Sequence, residues 1–159
     1  MGEKGRQIAK LDHKWLVAEL SKAYAFEWVV HHYAALAANI VSGLRTPVYA
    51  EIFKKAAEGE FGHANKIAKR IAELGGEPPE SLAEMEKLAG FGKVNFPKDR
   101  SDIKGFIKVF LKMEQHAIAL YNDLAQKTHG KDLVTHELAE DLLADEVAEE
   151  EEYENMLRE

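Results

Sequence analysis

The chain has 159 residues, 46% of them hydrophobic and 31% charged, with a net charge of −7 and no cysteine. That length supports one domain with its own core, and the negative charge argues against nucleic acid or an anionic membrane surface as partner, since both want a basic face. The missing cysteines exclude disulfides and thiolate metal sites; without a long apolar run or a signal-peptide core, a cytoplasmic location is the expectation.

Taken in order, residues 1–11 are polar and are expected to be a flexible N-terminus. From about Asp12 to Ser42 apolar residues recur at steps of three and four: Leu16, Leu20, Ala23, then Glu27, then Val30, Ala34, Ala37 and Val41. This is the period of a helix with one buried face. Gly43 is a stop signal, and Thr46-Pro47 reads as an N-cap followed by proline at the first helical position. The second helix, on the stripe Ile52, Ala56, Glu60, His63, Ile67 and Leu74, ends at Gly75-Gly76.

Residues 75–101 contain Pro78, Pro79, Gly90, Gly92 and Pro97, with room for a short helix from Ser81 to Ala89. So long a connection in a compact domain needs a purpose, and crossing the length of a bundle is one. Ser101 or Asp102 opens the third helix, with the stripe Ile103, Ile107, Phe110, Glu114, Ala117, Tyr121 and Leu124, closed by His129-Gly130. The fourth starts between Asp132 and Thr135 and carries Leu138, Leu142, Glu146, Glu149, Tyr153 and Met156. No stretch alternates with period two. The expectation is an all-α four-helix bundle spanning 1–159 as a single domain, with a long crossover between helices two and three, which is ferritin-like connectivity.

Each stripe is interrupted near its middle by acid: Glu27, Glu60 with His63, Glu114, and Glu146 with Glu149. Mid-helix positions of an antiparallel bundle meet at one level. Carboxylates meeting in a dry core repel one another unless they are protonated or bound to cations. Two divalent ions would neutralise four of them, and oxygen and imidazole donors without sulfur suit iron or manganese, and also zinc. On the fourth helix a solvated acidic face is the competing reading, because Asp145, Glu150, Glu151, Glu152 and Glu154 crowd around the two selected glutamates.

With Glu, Glu-x-x-His, Glu and Glu-x-x-Glu in that order, roughly residues 14–157 resemble the ferritin-like superfamily, and look most like bacterioferritins and Dps-like proteins with a bacterioferritin-type di-iron site. The resemblance implies two iron ions. Glu27 and Glu114 would be terminal ligands, Glu60 and Glu146 bridging ones, and His63 the imidazole on one metal. The family's second histidine falls at Glu149, a departure that makes the site more anionic and less symmetric. Phe61 stands where bacterioferritins carry the haem-binding methionine, so no haem is expected. The cysteine pair of some Dps-like relatives is absent, and a rubrerythrin-type cysteine-ligated iron domain is excluded.

The resemblance further implies oxidation of Fe(II) by oxygen or peroxide, iron storage and detoxification, and protection against oxidative stress, in a homo-oligomer that closes as a cage in such families. No catalytic residue beyond the metal ligands is assigned. Two alternatives stand beside this: a di-metal oxygenase or oxidase acting on a small organic substrate, since a fold does not fix a function, and a metal-binding bundle without catalysis. His31, one turn beyond Glu27, is in reach of the site but reads better as a supporting or surface residue. His13, His129 and His136 sit near helix ends and read as surface. The tyrosines, Tyr121 among them, read as core residues with hydrogen-bonded hydroxyls. Trp15, Tyr49, Phe91 and Phe96 suit subunit contacts and core equally.

Overall fold

A computed structural model describes residues 2–158. Among the described residues six helices follow in order: α1 (Glu3–Ile8), α2 (His13–Ile40), α3 (Thr46–Glu73), α4 (Leu82–Leu88), α5 (Ile103–Thr128) and α6 (Leu133–Arg158). The four long ones make the bundle, and no described helix is long and apolar enough to cross a membrane.

Side chains start most of these helices. Asp12 accepts from the Trp15 N–H at 2.8 Å, and Asp102 from the Gly105 N–H at 2.9 Å. Asp132 does the same for α6, accepting from the N–H groups of Val134 and Thr135 at 3.2 and 3.3 Å. Each bond satisfies a donor that the first helical turn leaves unpaired. At α3 the expectation is off by one: Thr46 is the first helical residue, and its hydroxyl donates to the Gly43 carbonyl at 2.7 Å. Just past the end of α3, Gly75 has a φ of +82°, a conformation that a side chain would strain.

α2 pairs with α3 and α5 with α6 as two helical hairpins, while α4 packs on α2. Contacts give the directions. Phe53 and Phe110, each seven residues into its helix, lie 4.9 Å apart between ring centroids, so α3 and α5 run the same way. Glu19, early in α2, lies 3.9 Å from Lys127, late in α5, so those two are antiparallel. Residues 74–102 must therefore span the bundle end to end, which is the work expected of the long crossover.

The predicted stripe of α2 is buried throughout, and that of α5 is buried from Ile107 to Leu124. On α3 the N-terminal half is turned by one residue. Phe53 and Ala57 are buried, whereas Ile52 and Ala56 are half-exposed, because the larger ring of Phe53 packs against Phe106 and Phe110. The N-terminal segment also differs from the expectation. It forms α1, buries Ala9, and is tied down by the Lys10 N–H donating to the Lys131 carbonyl at 2.8 Å. Phe91 and Phe96 turn inward, Phe91 against Phe26 and His116, and Phe96 stacked on Phe106.

Candidate metal centre

The four interrupted stripes meet. Glu27, Glu60, Glu114 and Glu146 are each at most 2% exposed and His63 is 5% exposed, while Glu149 is half-buried. One donor atom from each of Glu27, Glu60, His63 and Glu146 lies within 4.8 Å of the others, and Glu60, Glu114 and Glu149 form a second group by the same measure. All six predicted residues are thus brought together in two groups, with Glu60 in both. Glu149, which the acidic run on α6 left most open to a solvent-facing reading, turns inward.

His63 is held from outside the cluster. Its Nε2 lies 3.2 Å from Asp145 Oδ2, so an N–H there donates to that carboxylate and Nδ1 faces the glutamates. Nδ1 is 3.0 Å from Glu146 Oε1, 3.5 Å from Glu60 Oε2 and 3.6 Å from Glu27 Oε2. The 3.0 Å contact lacks the alignment of a hydrogen bond, and both of its atoms are without a partner. A carboxylate behind an imidazole fixes the ring and its tautomer, an arrangement common behind metal-binding histidines. On the other side the Tyr121 hydroxyl donates to Glu27 Oε1.

Four buried oxygens of the cluster are not satisfied. Glu27 Oε2, Glu114 Oε1 and both oxygens of Glu146 have no hydrogen-bond donor among the described residues. Left ionised, such groups cost several kcal/mol each on the order of buried-charge penalties. Protons can offset part of this. Burial, then the charge of Glu27, holds the Glu60 carboxyl well above its ordinary range. Burial, then Glu60, does the same to Glu114. Burial also raises Glu146, partly countered by His63, and burial with the Glu146 charge pushes Glu149 up to about 7. Burial opposes a charged His63 ring, but its contacts with Glu146, Glu27 and Glu60 outweigh that and drive it upward. Cations relieve the same repulsion, and the inward-facing, donorless oxygens with Nδ1 among them are a donor set for hard or borderline metals. The residues fit iron.

Two supporting residues do not stand out in the sequence. Asp145 was hidden in the acidic run of α6; the signal was its place directly before Glu146, roughly 100° round the helix towards α3. The sequence marks Tyr121 as a core residue with a bonded hydroxyl, but does not show its partner across the bundle, Glu27. His31 does not join the cluster: its Nδ1 lies 2.7 Å from the Ala57 carbonyl and its ring packs beside Trp28 and Phe61. A cavity of about 440 Å³ between α2 and the crossover is lined by Trp28, Tyr33, Met85 and Phe91, among others, and by none of the six.

Comparison with known proteins gives concordant matches. The chain matches the Ferritin-like domain family over residues 17–159. It is 31% identical over 160 residues to the DNA protection during starvation protein of Pyrococcus furiosus, covering 99% of this chain and 86% of that one. The structure of a dodecameric thioferritin, the bacterioferritin-related protein from Bacteroides fragilis, superposes with a TM-score of 0.89 at 30% identity, covering 98% of this chain and 92% of that one. A ferritin-like, diiron-carboxylate protein from Bacillus anthracis shares the fold at 21% identity, with a TM-score of 0.76 over 99% of each chain.

Proposed function

The chain belongs to the ferritin-like domain family, and from that premise we propose that its central cluster holds two iron ions and oxidises Fe(II) with oxygen or peroxide, for iron storage and protection against oxidative stress. The observation that carries this is the convergence of five buried carboxylate and imidazole side chains, joined by the half-buried Glu149, with unpartnered atoms on Glu27, His63, Glu114 and Glu146. Glu27, Glu60, His63 and Glu146 are the proposed ligands of one ion, and Glu60, Glu114 and Glu149 of the other. A bound iron pair supplies two electrons at one place, and carboxylate ligands favour its ferric state.

The chain's own residues do the rest. Asp145 holds the Nε2 proton of His63 and so leaves the Nδ1 lone pair to face the cluster. Tyr121 occupies one oxygen of Glu27 and leaves the other free. Buried Tyr121, Phe110, Met113 and Leu142 line the surrounding core and exclude bulk water, which strengthens every electrostatic interaction inside. The net charge of −7 draws Fe(II) to the surface.

The Bacteroides fragilis relative is dodecameric, and a closed homo-oligomeric shell is the proposed assembly here. The name of the Pyrococcus furiosus relative refers to DNA. With a net charge of −7, the protection proposed for this chain is chemical, by consuming Fe(II) and oxidant, without direct binding of DNA.

The test is anaerobic loading with Fe(II) followed by air or peroxide. A ferric absorbance should grow faster than in buffer, and Glu60→Ala, which removes the residue shared by both groups, should abolish the gain. Oxidation no faster than in buffer refutes the proposal.

A further inference from the structure

Far from the central cluster, the turn between α5 and α6 brings two histidines together. Nδ1 of His129 lies 3.2 Å from Nε2 of His136, with ring centroids 4.8 Å apart. We propose that His129 and His136, assisted by Glu140, form a second site for a divalent transition cation such as zinc. It is independent of the central centre: His136 precedes Glu146 by ten residues, or about 15 Å along α6.

Three features carry the assignment. First, the outward nitrogen of His136 is set by the fold. Its Nδ1 lies 2.9 Å from the Ala125 carbonyl, which accepts an N–H there and leaves the lone pair on Nε2. Second, the spacing fits a chelate. Two imidazole nitrogens at about 2.0–2.1 Å from a tetrahedral zinc are separated by about 3.3 Å, close to the 3.2 Å already present. Third, a carboxylate is at hand. Glu140 Oε1 lies 3.5 Å from His136 Nε2, one turn along the same helix, and its side chain is 62% exposed and free to swing in. His129 is itself exposed, so a hydrated ion has direct access. A hydrogen bond between the two rings uses the same two nitrogens, and metal titration separates the two arrangements.

The experiment titrates the full-length protein with zinc chloride by calorimetry and counts bound zinc by mass spectrometry. His129→Ala removes an exposed ring that the core does not need. His136→Asn keeps a side-chain N–H for the Ala125 carbonyl but deletes Nε2. Relative to the unaltered protein, each variant should bind one zinc fewer per chain, or bind that equivalent about tenfold or more weakly, with the central equivalents unchanged. Zinc stoichiometry and affinity equal in all three proteins would overturn the site. A loss confined to His136→Asn, with His129→Ala at the unaltered level, would overturn the two-imidazole chelate. The central site's iron chemistry has no bearing on either result.

Discussion

Replacing Glu149 by glutamine tests the electrostatic account most directly. In the metal-free protein, burial and the Glu146 charge hold the Glu149 carboxyl at about 7, against an ordinary 4.5. A carboxylate raised in the folded state favours folding less once it ionises. Its penalty is therefore absent below about 4.5, grows as the pH rises to about 7, and is fully present above that. The gap corresponds to roughly 3 kcal/mol at full ionisation, of which about 2 kcal/mol develops between pH 5 and 8. Glu149→Gln removes the ionisation and keeps the shape. In chelator, the variant should outlast the parent by a margin that widens by about 2 kcal/mol from pH 5 to 8, or roughly 4–8 °C in Tm. With metal present the sign reverses, because the parent carboxylate is then a ligand that the amide replaces poorly. Paired thermal melts in chelator and in excess Mn(II), across that pH range, give both arms. A stability difference that ignores pH in chelator, or a variant stabilised equally with and without metal, refutes the reasoning.

Three further outcomes are expected. Asp145→Asn leaves the fold intact but loosens the hold on His63 Nε2, so metal affinity in titration should fall by about 10- to 100-fold with little change in the metal-free Tm. Tyr121→Phe leaves Glu27 Oε1 buried without its donor, and denaturant unfolding in chelator should show a loss of about 1–3 kcal/mol. Arg70 is 4% exposed and is bonded to Asp132 at 2.8 and 3.0 Å and to Thr135 at 2.8 Å. Arg70→Met leaves the buried Asp132 carboxylate without its cation, with only the Val134 and Thr135 donors of the α6 cap, and unfolding should show about 3–5 kcal/mol of destabilisation.

The stripes of α2 and α5 could be read directly, because an unbroken sequence of threes and fours admits one buried face and the glutamate inside it shares that face. The stripe of α3 could be read only in part. Alanines and an isoleucine on either side of the true face made two phases nearly equal, and the packing of Phe53 against Phe106 and Phe110 chose between them. The same stripe steps from Ile67 to Leu74, and the gap conceals Arg70, whose burial depends on an acid at the start of α6. A charged side chain in a core stripe has no visible partner until the chain is folded.

The number of long helices, the crossover, and the identity of the six converging side chains are legible before any folding is known. Those follow from local rules: period, caps, breakers, and the cost of a carboxylate on an apolar face. Folding alone sorts the six into two groups sharing Glu60 and sets Asp145 and Tyr121 behind His63 and Glu27. These contacts join residues far apart along the chain. Tyr121 and Glu27 are 94 residues apart, and His63 and Asp145 are 82 apart. Periodicity fixes which way a side chain points from its own helix, but not which atom of another helix it will meet.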